Sequence, residues 1–128
     1  MGTDQLFMRC ALAFALGLTL LAQAHAADRF RKLTDAEIRA RLASMEITDG
    51  IHWAEQYMRD GTYKAFDMGK PSKGKWYARG GELCLDDGKA EPDCKEVWMS
   101  GTKVDFRQPG SSMPGINEGV LQKQQKRG

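Results

Sequence analysis

Residues 51–106 form a succession of short alternating segments, each ended by a cluster of glycine, aspartate, serine or proline. This punctuation constrains the fold more than any other feature, because strands of this length joined by tight turns can only pair with their chain neighbours. "IHWAEQYM" (51–58) sets Ile51, Trp53 and Tyr57 on one face and His52, Gln56 and Met58 on the other. "RDG" (59–61) turns the chain into "TYKAFDM" (62–68), and "GKPSKG" (69–74) reads as a loop. "KWYAR" (75–79), the Gly80–Gly81 turn and "ELCLD" (82–86) follow; an acidic loop leads to "CKEVWM" (94–99), and "SGT" (100–102) turns into "KVDF" (103–106). "EIT" (46–48) is a candidate further strand. With no βαβ pattern, the expectation is an all-β antiparallel meander, curled into a small barrel or a strongly curved sheet.

One helix precedes the meander. In "KLTDAEIRARLASM" (32–45), Thr34 is an N-cap and Glu37 completes a capping box, with Leu33 and Ile38 at the staple positions. Ile38, Leu42 and Met45 share a face, so a helix over about 35–45 is expected to cap one end of the sheet. A helix this short does not persist alone and must dock on an apolar surface.

The N-terminus bears on the cysteines. Arg9 precedes the apolar run "ALAFALGLTLLA" (11–22), and "AQAHA" (22–26) ends it with small residues at leader-peptidase spacing. That run spans about 18 Å as a helix, against roughly 30 Å of bilayer core. Residues 1–26 therefore read as a cleaved secretory signal peptide, with cleavage after Ala26 or alternatively Ala24. Residues 27–106 form one β-rich domain without a transmembrane segment, and the expected location is periplasmic or secreted, where thiols oxidise. Cys84 and Cys94 are the two cysteines of the mature chain, and an even pair in a small exported domain reads as a disulfide. A zinc site needs about four closely spaced ligands, and a redox pair is normally Cys-x-x-Cys; neither pattern is present.

Beyond Phe106, "RQPGSSMPGINEGVLQKQQKRG" has no aromatic residue, two prolines and four glycines, and reads as a flexible tail over 107–128. The motifs "LTDAEIRARL", "DGTY", "GKW", "ELCLD", "DC-KEVW" and "VDF", in that order, resemble a group of small exported bacterial proteins of unassigned function. The resemblance spans roughly 33–106 and supports the fold and the disulfide. The Gly-x-Trp strand start and the meander are also similar in outline to lipocalin-type small barrels.

No catalytic constellation assembles. His52 is the single histidine that survives cleavage after Ala26, and a nucleophile needs a base beside it. Cleavage after Ala24 would expose His25 for copper chelation with His52. Asp86, Asp87, Glu91 and Asp93 lack the EF-hand order, so no metal or other cofactor is assigned. "KPSKGKWYARG" (70–80) mixes Lys70, Lys73, Lys75 and Arg79 with Trp76 and Tyr77, as single-strand binders do. The net charge of +2 and the export signal argue against a nucleic-acid partner. Alternation puts Trp76 and Ala78 inward and leaves Tyr77 with Arg79 on the outer face.

The function expected from these observations is a non-enzymatic binding or interaction module of the bacterial envelope, with an envelope ligand or protein as partner. Trp53, Tyr57, Tyr77 and Trp98 are the candidate contacts and Arg79 the charged anchor. The alternatives are a carboxylate-dependent hydrolase of envelope material and a metal-binding protein using His52 and the acidic loop.

Overall fold

The structure is a computed structural model that describes residues 29–111, 113–115 and 117–127. The signal-peptide reading, with Cys10 and His25, lies outside the described residues. Two residues of β1 (Arg31–Lys32) lead into α1 (Asp35–Leu42). Eight strands follow: β2 (Met45–Thr48), β3 (Trp53–Tyr57), β4 (Thr62–Asp67), β5 (Lys70–Arg79), β6 (Glu82–Asp86), β7 (Asp93–Ser100), β8 (Lys103–Arg107) and β9 (Asn117–Lys123). Each of the eight pairs antiparallel with its chain neighbour, and β9 returns to β2, closing an up-and-down barrel; β1 is an extra strand on β7. No described helix is long and apolar enough to cross a membrane.

Local chemistry sets the entry to the barrel. The Thr34 hydroxyl accepts the Glu37 N–H at 3.2 Å, and the Glu37 carboxylate accepts the Thr34 N–H at 3.2 Å. Arg31 forks onto the same carboxylate at 2.9 and 2.6 Å, tying β1 to the first turn of α1. The helix ends sooner than its periodicity predicts. Ser44 takes a left-handed φ of 67° and its N–H bonds to Tyr57 O, so Met45 opens β2 instead of extending the helix. Leu33, Ile38 and Leu42 are fully buried at this end. At roughly 2 kcal/mol for each buried aliphatic side chain, docking stabilises a helix that would not form in isolation.

Two other expectations are corrected. The loop predicted over 69–74 is mostly strand: the reversal is confined to Met68–Gly69, both at positive φ, and β5 begins at Lys70 opposite Asp67. Pro71 is tolerated there because β6 pairs with β5 only from Lys75 onward, leaving that edge open. The flexible tail is also overturned, since 107–128 contains β9. Strands β2 and β8 each need a partner on one edge, and β9 supplies both, with Ile47 opposite Leu121 and Val104 opposite Gly119. Gly119 is required by close approach. A Cβ there would sit 2.9 Å from both Ile47 Cγ2 and Trp53 Cη2.

Residues 124–127 then fold back over the outer face of β2 and β3. Gln124 Nε2 donates to Met45 O and Tyr57 O, both at 3.2 Å. Arg127 grips Glu46 at 2.8 and 2.9 Å, while Gln56 and Gln122 donate to the same carboxylate at 2.9 and 2.8 Å. Glu46 is fully buried, and burial alone would raise its pKa; this ring of donors instead holds it at about 2. A second cover lies over β8, where Asp105 is buried and accepts from Arg107 Nε at 2.7 Å and Gly115 N–H at 3.1 Å. Cys84 and Cys94 face each other across β6–β7 and form the disulfide.

Candidate functional site

The inward-facing side chains divide into two levels. Near α1 the barrel is solid: Ile47, Tyr57, Val97 and Val104 are fully buried, with Leu83, Met99, Trp76 and Ala78 packed among them. At the opposite end Trp53, Glu55, Ala65, Leu85, Lys95 and Phe106 also face inward by strand alternation, yet each is only half-buried. The interior therefore opens as a shallow cup above a packed floor.

Each wall of the cup has a local cause. Trp53, Glu55 and Tyr57 alternate along β3, so all three point inward. The Trp53 indole extends over Gly119 to the Phe106 ring, with centroids 6.1 Å apart and planes tilted by 48°. Trp53 also lines an outer groove of about 510 Å³ with Ile51, His52, Phe66, Pro71 and Lys126. Across the barrel, Lys95 carries an ion pair to Asp93 at 3.2 Å.

Glu55 is the unusual member. The Tyr57 hydroxyl donates to its Oε2, while Tyr57 itself rests edge-on against Trp76 with centroids 5.6 Å apart. Its second oxygen has no hydrogen-bond partner among the described residues. Asp105 Oδ1 is the one side-chain polar atom there that is both buried and unpartnered, so Glu55 Oε1 reaches accessible space inside the barrel. Burial pushes the Glu55 carboxyl upward, against the Tyr57 hydrogen bond and the Lys95 charge; burial and the Glu55 charge push the Tyr57 phenol well above its usual value. The Tyr63 phenol is raised by burial first and then by Asp87, Glu55, Asp86 and Asp93. These four carboxylates and the Lys95 ammonium are the charges that act on the phenols and carboxyl at this level.

The acidic loop between the cysteines lies at this open rim. Its carboxylates also shape it: Asp86 accepts Gly88 N–H at 2.8 Å, and Asp87 accepts Lys89 and Ala90 N–H at 2.8 and 3.2 Å. Among the described residues no three His, Cys, Asp or Glu side chains converge to hold a metal. His52 is exposed with Nδ1 2.8 Å from Asp49 Oδ2, and Asp49 also accepts the N–H groups of Ile51, His52 and Trp53. That pair organises the β2–β3 loop, and no described hydroxyl or thiol bonds to the imidazole.

The five candidate contacts do not form one site. Trp53 stands at the cup wall and Tyr57 beneath it, whereas Tyr77 and Arg79 lie on the outer face of β5 with the guanidinium 5.5 Å from the ring centroid. Trp98 is on the outer face of β7, its indole covered by Arg107 at 4.2 Å. Glu55, Lys95 and Phe106 were missed by sequence reasoning. The available signal was a charged residue on the apolar face of "WAEQY", where Glu55 alternates with Trp53 and Tyr57. No family model, curated protein or solved structure matches the chain.

Proposed function

We propose that this is an exported, non-enzymatic binding protein of the bacterial envelope, and that its cup takes a small organic cation: an ammonium group on a compact apolar body. One observation carries the reading, namely that Glu55 keeps an oxygen with no hydrogen-bond partner among the described residues, in accessible space inside the barrel. An ammonium there would gain a charge-assisted hydrogen bond, and the adjacent Trp53 and Phe106 faces suit a cation or its alkyl body. The acidic rim would concentrate cations at the mouth. Lys95 acts on Glu55 through its charge, but its ammonium bonds to Asp93 and makes no ion pair or hydrogen bond with Glu55. The disulfide and the signal-peptide pattern of the sequence support the location.

The test is a titration of the mature protein with butylammonium, choline and the neutral isostere butanol, followed by tryptophan fluorescence and by ligand mass. Saturable quenching by the cations, at least tenfold weaker with butanol and in Glu55→Gln, is the expected result. Equal affinity for butanol, or an unchanged affinity in Glu55→Gln, refutes cation recognition. Release of ethanol from glycine ethyl ester, an ammonium probe that carries a hydrolysable ester, would instead establish turnover and the hydrolase alternative.

A further inference from the structure

A second concavity lies at the opposite end of the molecule, on the outside of the barrel. This cleft of about 670 Å³ runs between the chain around β1, the last turn of α1 and the β7–β8 turn. Arg29, Arg31, Lys32 and Arg41 line it together with Phe30 and Trp98. We infer that this cleft is a binding site for a compact dianion of the phosphate-monoester class, distinct from the cup.

The charge balance carries the assignment. Arg31 is neutralised by Glu37 through two hydrogen bonds, and Lys32 by Glu96 at 2.9 Å. Arg29 and Arg41 have no acidic partner among the described residues. Among the described residues, four cations against two carboxylates leave a residual charge of +2 in one concave space, which a doubly charged oxyanion would balance.

Arg29 and Arg41 both carry guanidinium groups, whose planar forks match phosphate oxygens better than an ammonium does. The wall behind them is fixed. The Trp98 indole donates to Glu96 at 3.1 Å and is stacked under Arg107, which is itself anchored by Asp105 at 2.7 Å. The Phe30 ring lies 6.0 Å from the same guanidinium, holding the chain before β1 against the barrel. The cations therefore project from a backed surface, which lowers the ordering cost of binding.

The experiment is an NMR titration of the mature protein with glucose 6-phosphate and inorganic phosphate at constant ionic strength, with sodium chloride as the matched control. Saturable shifts of the Trp98 indole N–H and of Arg41 are expected, absent with chloride and weakened at least tenfold in Arg29→Gln/Arg41→Gln. The indole spectrum and melting temperature of that variant show whether it is folded; Lys103→Gln, which lies outside the cleft, should bind as the parent does. Non-saturating shifts shared with chloride, or saturable binding unchanged in the double variant, overturn the assignment. A third arm uses vesicles containing phosphatidylglycerol. Cosedimentation that needs Arg29 and Arg41, without saturable binding of either soluble phosphate, assigns the cleft to a membrane surface and overturns it as a small-ligand site.

Discussion

Replacing Arg127 with glutamine tests whether the end of the chain is an integral part of the fold. Glu46 is fully buried on the outer face of β2, and Arg127 supplies its one countercharge among the described residues. The folded pKa of about 2 lies below the ordinary 4.5, a difference worth roughly 3 kcal/mol. Since the folded value is the lower one, this stability is complete above about pH 4.5 and is lost as pH falls towards 2. Removing one partner of a buried ion pair costs about 3–5 kcal/mol. Here Gln56 and Gln122 still donate to Glu46, and the Arg127 side chain is 30% exposed, so water can reach the vacated position. A loss of about 2 kcal/mol at pH 7 follows, equivalent to roughly 10 °C in melting temperature for a domain of this size.

Urea unfolding followed by tryptophan fluorescence, at pH 7 and at pH 3, measures this directly. Arg127→Gln should lose more stability at pH 7 than at pH 3, because acid already removes part of the same contribution from the parent protein. Adding Glu46→Gln should recover part of the loss, since a neutral amide no longer needs the guanidinium. A cost below about 0.5 kcal/mol at pH 7, or a parent pH profile unchanged by the substitution, would show that the terminal residues do not cover Glu46.

Two further outcomes probe the frame that holds the sites. The Cys84→Ser/Cys94→Ser variant closes no loop across the ten-residue separation and should lose roughly 3 kcal/mol in urea unfolding; thiol labelling of the unreduced parent would contradict the disulfide. Gly115→Ala would bring a Cβ to 2.4 Å from Asp105 Oδ1 and into the Phe106 carbonyl. It should cost about 1–3 kcal/mol and increase exchange of the amide at position 115, whereas an unchanged melt would place that chain away from β8.

Much of the barrel is legible along the chain. The capping box at Thr34–Glu37 needs only neighbouring residues, and the helix starts where it predicts. Trp76 and Ala78 face inward, as period-two alternation requires, and the cysteine pair closes a local hairpin. What the sequence could not disclose depends on partners far along the chain. "NEGVLQK" has too few apolar residues to announce a strand, and its pairing comes from the open edges of β2 and β8. Gln122 meets Glu46 across 76 positions, a contact invisible to any local pattern.

The same distinction separates the two candidate sites from the residues that suggested them. The sequence by itself determined the alternation, the turns, the helix start and the disulfide, because these follow from backbone geometry and side-chain chemistry over a few residues. Tertiary structure decided that the barrel closes, that Glu55 opens into a cup facing Lys95, and that Arg29 and Arg41 share one cleft. Closure brings strands from both ends of the domain together, so what a side chain faces across the barrel is set by strand order and shear rather than by its neighbours in the chain.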